Sequence, residues 1–316
     1  MSRPRIFVAG HRGMVGAALV RALQRQPGGA DLRLCPREQL DLRDSAAVDR
    51  FFARERPEQV YLAAARVGGI LANDRYRADF IADNLAIELA VIGAAQRHGV
   101  ERLLFLGSSC IYPRLAPQPI AETALLGGPL EPTNQPYAIA KIAGLELCDA
   151  YRRQHGCDFR AAMPTNLYGP GDNHHPDHSH VIPGLMRRFH EAVRTGADEV
   201  VIWGSGQPRR EFLHVDDLAE ACLHLMALPR AQWEAAVRTP HVNVGTGEDL
   251  TIAELATRLA ALCGFTGALR FDTSRPDGTP RKVLDVSLIH RLGWRARIGL
   301  AEGLATTYAH YRTLAA

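Results

Sequence analysis

The sequence predicts an α/β protein: a doubly wound parallel sheet joined to a smaller, less regular α/β half. Three observations carry that prediction. Apolar strand-like runs alternate with segments of helical period, a glycine cluster separates the first strand from the first helix, and the alternation loosens after about residue 165. Strands alternating with helices need crossover connections, which make the strands parallel. Near-continuous apolar strands need helices over both faces, hence the double winding.

Arg5–Ala9 reads as the first strand, and Val15–Leu23 carries apolar residues at helical spacing. Further strands are expected at Asp31–Leu34, Gln59–Ala63, Arg102–Leu106 and Phe159–Met163, with helices around Ser45–Arg54, Ala78–His98 and Tyr137–Gln154. Two long stretches read as loops: Pro113–Pro136, with six prolines, and Asn166–His180, rich in His, Asp and Pro. Loops of that length inside a compact domain usually carry function. A helix Val181–Thr195, a strand Glu199–Trp203, a helix Val215–Ala227, a strand His241–Val244 and a helix Thr251–Leu262 complete the pattern.

Composition narrows the function. With 316 residues, 47% hydrophobic and 22% charged, the chain suits two domains or one large one, and a disordered, collagenous or coiled-coil protein is excluded. A net charge of +3 argues against a dedicated nucleic-acid binder. Six scattered cysteines (Cys35, Cys110, Cys148, Cys157, Cys222, Cys263) without CxxC spacing fit free thiols in a reducing compartment. The run Ile6–Ala9 is too short for a signal segment, and no membrane span is visible, so a cytoplasmic protein is expected. The 37 basic residues include only two lysines, Lys141 and Lys282. Arginine serves nearly every cationic position, so these two exceptions call for a reason.

Gly10, His11, Arg12, Gly13, Met14, Val15 and Gly16 follow a strand and open a helix. Glycines there allow a tight turn and close approach of the backbone to a pyrophosphate, whose charge meets the positive helix end. A dinucleotide-binding (Rossmann) site is therefore expected, the plainer alternative being a merely structural turn. An NAD-preferring site places an acid at the tip of the second strand. Here Leu34, Cys35, Pro36 and Arg37 stand there instead. Arg12 and Arg37 suit a 2′-phosphate, so NADPH is the expected cofactor. The plainer alternative is a pair of solvated surface arginines.

Tyr137 and Lys141 lie at i and i+4 of a helix, on one face. A ketone that accepts hydride becomes an alkoxide, which a tyrosine hydroxyl can protonate if a nearby cation lowers its pKa. Lysine suits that task as a compact point charge. Ser108 and Ser109 follow the Arg102–Leu106 strand, where the carboxyl ends of parallel strands face the ligand crevice. Ser108 is placed to hold the carbonyl oxygen.

The segments Gly10–Gly16, Gly107–Pro113 (GSSCIYP), Glu131–Tyr137 (EPTNQPY), Pro164–Pro170 (PTNLYGP) and Ser179–Pro183 (SHVIP) resemble the extended short-chain dehydrogenase/reductases. Within them they are similar to the epimerase/reductases of GDP-4-keto-6-deoxymannose. The resemblance runs over nearly the whole chain and implies a two-domain subunit, NADPH, a GDP-sugar substrate and a homodimer. Residues 1–165 then form the NADP-binding domain and 166–316 mainly the substrate domain, with segments near 204–250 returning to the first.

The implied reaction inverts C3 and C5 beside a 4-keto group and then reduces C4. Cys110 matches the family's proposed base and His180 its acid. A thiol needs a positive neighbour or the cofactor to ionise readily, whereas imidazole titrates near neutrality. The plain readings are a small buried hydrophobe and a loop histidine. The resemblance also implies cofactor contacts from Arg37, Asp41, Leu42, Leu106, Gly107, Ser108, Ser109, Lys141, Pro164, Thr165, Asn166, Leu167 and His180. For the nucleotide of the substrate it implies Arg188, Trp203, Arg210 and Asp277. Arg188 on an exposed helix face, Trp203 in core packing and Asp277 in an ordinary Pro-Asp-Gly turn are the corresponding plain readings.

His174, His175, His178 and His180, with Asp172 and Asp177, match no metal-site spacing, and no metal is expected. Ala231–Thr239 has no counterpart in the family pattern and reads as a surface insertion, and the role of Lys282 is open. Two rival functions stand beside the main one. The first is a reductase or 4-epimerase of another nucleotide sugar, which would not need Cys110 and His180. The second is a non-catalytic NADPH sensor, which would not need Ser108, Tyr137 and Lys141.

Overall fold

The computed structural model describes residues 3–176, 179–275 and 277–315. β1 (Arg5–Ala9) is buried beyond its first residue and turns through the glycines into α1 (Met14–Arg25). β2 (Asp31–Arg33) is short, and α2 (Ser45–Glu55) starts where the Asp44 carboxylate accepts the Ala47 N–H. β3 (Gln59–Leu62), α3 (Ile70–Arg75), α4 (Arg77–Arg97), β4 (Arg102–Leu106), α5 (Gln135–His155) and β5 (Asp158–Pro164) follow. The helix expected from residue 78 is preceded by the extra turn α3, because Tyr76 leaves helical geometry at φ −112°, ψ 41°.

The second half adds β6 (Asn166–Tyr168), α6 (Val181–Thr195), β7 (Glu199–Trp203), β8 (Arg209–His214), α7 (Val215–Ala227) and α8 (Arg230–Ala236). It ends with β9 (Val242–Val244), β10 (Asp249–Thr251), α9 (Ile252–Cys263), β11 (Ala268–Asp272), β12 (Arg281–Lys282), α10 (Ser287–Arg291) and α11 (Leu300–Ala315).

The main sheet is parallel, in the order β2-β1-β3-β4-β5-β9. The chain runs out from β1 to β2 and returns to β3 on the other side of β1. That reversal opens a crevice at the carboxyl ends of the strands, where Gly10, Gly107 and Thr165 follow β1, β4 and β5. A smaller sheet is built on β8. Its first half lies between antiparallel β10 and parallel β12, and its second half pairs with β6. β7 and β11 form a separate parallel pair.

Two apolar clusters follow these layers. One fills both faces of the main sheet, with Phe7, Phe52, Leu103 and Phe105, and takes in Leu218 of α7 and Ile289 of α10. The other packs α6, α9 and α11 around Phe189, Leu255, Phe265 and Leu304.

The segment Ala231–Thr239, expected at the surface, is anchored in the core by two of its residues. It contains most of α8, and Trp233 and Val237 are each 2% exposed. The Arg160 guanidinium, bonded twice to Asp158 at 2.7 Å, stacks on the Trp233 ring at 5.1 Å. The proline-rich stretch 113–136 is likewise no free loop, since Ile120 bridges to Leu284 and Glu122 accepts the buried Asn243 N–H at 3.0 Å. Among the described residues, no helix is long and apolar enough to cross a membrane.

Candidate active site

The glycine turn is shaped by the protein at two positions and open at the third. A Cβ on Gly10, at φ +88°, would sit 2.8 Å from the Ala64 backbone, and one on Gly16 would sit 2.0 Å from the Gly10 carbonyl oxygen. A Cβ on Gly13 would make only an ordinary 3.5 Å contact. Gly13 is the N-cap of α1, with no side-chain cap and no acid in the first turn, so no side chain caps the leading N–H groups. This cradle fits an anionic diphosphate.

Of the two arginines expected at the 2′-phosphate, Arg12 is bonded to Glu38 at 3.0 Å, an exposed pair that is easily exchanged. Arg37 is exposed and, among the described residues, makes no hydrogen bond or ion pair. Nearby, hydrogen bonds from Arg43 hold the Asp41 carboxyl down at about 2, and Leu42 packs on the main core. His11 is half-buried, and burial followed by the charge of Arg12 lowers its pKa. Met14 and Val15 pack against the core from the first turn of α1.

The sheet edge supplies the next group. β4 ends at the buried Leu106, and after Gly107 the chain enters a short 3-10 turn, Ser109–Ile111. The Ser108 hydroxyl caps that turn by accepting the Cys110 N–H at 3.4 Å, and Ser109 is buried. Tyr137, from the first turn of α5, lies edge-on to Phe80 at 6.2 Å and touches the same apolar group as Cys110. Its phenol is pushed up by burial and by the charge of Cys110, while the hydrogen bond from Ser108 pulls it down. Ser108, Cys110 and Tyr137 thus converge.

Lys141 has a partner that its spacing in the sequence does not reveal. It is 2% exposed on the same face of α5, but its ammonium meets Glu88 of α4 at 3.3 Å and the Phe105 ring at 4.5 Å. Burial pushes the Glu88 carboxyl up to about 7 and lowers the Lys141 ammonium, each offset in part by the other's charge. The charge of Glu88 also raises Tyr137. Sequence reading missed Glu88, whose only signal is a carboxylate in an otherwise apolar stretch of α4.

Two further groups face Cys110. The Asn134 amide donates to the sulfur at 3.2 Å, and the Lys282 ammonium lies 3.9 Å from it. Asn134 is the N-cap of α5, yet its side chain caps nothing and turns to the thiol. The positive neighbour that Cys110 requires is therefore present, supplied by β12 from the smaller sheet.

Pro164 ends β5 and Thr165 is buried behind it. Asn166 and Leu167 belong to β6, where Thr165 and Asn166 both donate to the Glu211 carbonyl, at 3.3 and 2.9 Å. His180 is the N-cap of α6, reached by solvent but crowded by protein, and that burial lowers its pKa. The described hydrogen bonds do not join His180 to Cys110 or Tyr137.

The proposed nucleotide residues line α6 and the smaller sheet. Arg188 donates to the Val201 carbonyl at 2.6 Å, and Arg210 to those of Arg209 and Thr279 at 2.8 and 2.6 Å. Burial lowers the pKa of both guanidinium groups. Arg188 is therefore not on an exposed face, and Trp203, at 54% exposure beneath Arg275, is not in the core. Asp277 braces the 204–207 turn by accepting the Ser205 N–H at 2.9 Å and the Ser205 hydroxyl at 2.6 Å.

Among the described residues, no group of three or more His, Cys, Asp or Glu is placed to hold a metal ion. Asp177 and His178 lie outside the described residues. The His174 ring packs on Tyr311 at 4.3 Å.

A glycine cradle, a tyrosine and a lysine at the carboxyl edge of a parallel sheet define a nucleotide-dependent oxidoreductase or epimerase. The chain belongs to the NAD dependent epimerase/dehydratase family, whose pattern matches residues 6–245. Within it, the chain is 59% identical over 310 residues to the GDP-L-fucose synthase of Escherichia coli (strain K12), covering 98% of this chain and 96% of that protein. Among solved structures, the GDP-mannoheptose C4 reductase of Campylobacter jejuni with NADP bound is 38% identical, with TM-score 0.89 and 99% of each chain covered. A GDP-L-fucose synthetase from Naegleria fowleri bound to NADP is 26% identical, with TM-score 0.87, covering 99% of this chain and 95% of that one.

Proposed function

We propose that this chain converts GDP-4-keto-6-deoxy-D-mannose to GDP-L-fucose by epimerisation at C3 and C5 and NADPH-dependent reduction at C4. Full-length similarity to GDP-L-fucose synthase at 59% identity supports the reaction. The observation that carries it in the structure is the meeting of Cys110 with Ser108 and Tyr137. A simple C4 reductase needs the latter two but has no use for a thiol in that place.

The residues fit the cofactor. The open cradle at Gly13 suits the diphosphate and Arg37 a 2′-phosphate, and the edge residues Leu106–Ser109 and Pro164–Leu167, with Lys141, would hold the remainder. NADPH bound there supplies hydride for C4. The 4-keto group acidifies C3–H and C5–H, because the carbanion delocalises onto oxygen. Cys110 thiolate takes that proton on one face, and His180 returns a proton to carbon on the other. Ser108 holds the carbonyl oxygen, and Tyr137 protonates it as C4 is reduced. Arg188, Trp203, Arg210 and Asp277 form the GDP subsite in this reading, which requires the two arginines to trade their carbonyl partners for phosphate. Residues 1–165 then form the cofactor domain and 166–316 mainly the substrate domain, in a cytoplasmic homodimer.

The test supplies GDP-4-keto-6-deoxymannose and NADPH, follows cofactor oxidation and identifies the sugar. GDP-L-fucose is expected. In deuterated water Cys110→Ser should lose nearly all label entry at C3 and C5. Unimpaired exchange would remove Cys110 as the base, and a product reduced at C4 with C3 and C5 unchanged would favour a different nucleotide-sugar reductase.

A further inference from the structure

Lys282 is one of two lysines in the chain, and both stand at the active site, one beside Glu88 and the other beside Cys110. The neighbours of Lys282 are otherwise engaged. Arg281 is bonded to Asp249 at 2.5 Å, and Arg210, the partner of Lys282 across the strand pair, is bonded to two carbonyl groups. Among the described residues no carboxylate lies within ion-pairing distance of Lys282. The group its ammonium does face is the Cys110 sulfur, at 3.9 Å.

The approach is fixed by the backbone that follows. The Val283 N–H donates to the Gln118 side chain at 3.0 Å, and the Leu284 N–H to the Glu211 carboxylate at 2.8 Å. The Val283 carbonyl accepts the Ile120 N–H at 2.8 Å, so β12 is held against the 113–136 segment that begins just beyond Cys110. The other groups beside the thiol are the Asn134 amide, which donates to it, and the Tyr137 phenol, while the Ser108 hydroxyl accepts the Cys110 N–H. Lys282 is the cation among them.

We propose that Lys282 is a positioning residue for the epimerisation, its ammonium holding Cys110 as thiolate without transferring a proton itself. The inference rests on the reading of Cys110 as the base. When the thiolate takes hydrogen from C3 or C5, the S–H bond forms as C–H breaks, and the electron pair passes into the enolate. Lysine rather than arginine fits the position, because a single sulfur offers nothing for a planar fork to grip. A cation beside a thiol favours the ionised form.

The test is alkylation of Cys110 by iodoacetamide in the full-length protein, from about pH 6 to about pH 9.5, read by peptide mass spectrometry. Lys282→Met should make Cys110 react about tenfold more slowly near neutrality, the difference narrowing at alkaline pH. Lys282→Gln should do the same, and Lys282→Arg should recover part of the rate. Superimposable profiles for Lys282→Met, Lys282→Gln and the unchanged protein would overturn the proposal. So would weakened GDP binding with an unmoved profile, which assigns the ammonium to the diphosphate. Alkylation needs no turnover, so failure of the proposed reaction would show separately, as absence of C3 and C5 exchange in the unchanged protein.

Discussion

Tyr137 and Lys141 show how far a residue pair can be read from spacing and where that reading stops. The i, i+4 interval put both on one buried face of α5, but the partner that decides the lysine's charge comes from α4. A buried ammonium tolerates its site only with a counter-charge, and removing one member of such a pair costs roughly 3–5 kcal/mol. Glu88→Gln should therefore lower stability by about 3 kcal/mol in urea unfolding. It should also bring forward the pH at which NADPH oxidation falls on the alkaline side, because Lys141 loses the carboxylate that favours its charged form. The double variant Glu88→Gln/Lys141→Met should regain most of the stability and none of the reduction. If the single variant unfolds at the same urea concentration as the unchanged protein, the pair is not the counter-charge described.

At the scale of elements, the 113–136 segment is held to β9 by a buried polar chain. Asn243 donates through its amide to the Ile120 and Asp285 carbonyls at 2.9 and 3.1 Å, which aims its oxygen at Tyr112. The Tyr112 hydroxyl donates to that oxygen at 2.5 Å, so at 2.7 Å His241 must present Nε2–H to the tyrosine oxygen. Nδ1 of His241 is then a bare, unpartnered nitrogen, and burial lowers the imidazole to about 4. The sign follows from proton counting. The unfolded chain takes up a proton below about pH 6.5 and the folded one only below about 4, so this group's contribution falls as pH drops through that window, by about 3 kcal/mol. His241→Asn should flatten that part of the stability curve relative to the unchanged protein in urea titrations at several pH values. Parallel curves would refute it. None of this chain was legible in the sequence, since its members are Tyr112, Ile120, His241, Asn243 and Asp285, far apart and in no period. β1, β3 and β4 were legible as short, mostly apolar runs, and β2, β5 and β9 by a few apolar residues in the alternation with helices. β6, β8, β10, β11 and β12 were not, since they are short and pair over long separations, and β8 hides its apolar end behind Arg209, Arg210 and Glu211. Within the site, Gly10, Ser108, Cys110 and Tyr137 announced themselves by local context. Glu88, Asn134 and the role of Lys282 did not, because only tertiary contact gives them one.

At the scale of the molecule, α4 and α5 pack side by side and leave an apolar outer face. Leu89 on α4 is 59% exposed and Ile139 on α5 is 40% exposed. Ile81, Leu85 and Leu89 recur at i, i+4 and i+8, and Ile139, Ala143 and Leu147 do the same on the neighbouring helix. Two such rows on adjacent helices make an apolar patch, and its twofold repetition by a second copy would make a self-complementary interface. Tyr137 and Lys141 point inward from the same turns of α5 from which Ile139 and Ala143 point outward. Pairing through this face would press on the back of the helix that carries the catalytic tyrosine. The expected result in sedimentation equilibrium is a particle of twice the 34.6 kDa chain mass. Leu89→Glu combined with Ile139→Glu should yield monomers that keep their circular dichroism but reduce substrate more slowly, since α5 loses its backing. A monomeric unchanged protein would remove the dimer outright, and a monomeric variant of full activity would show that pairing does nothing for the tyrosine.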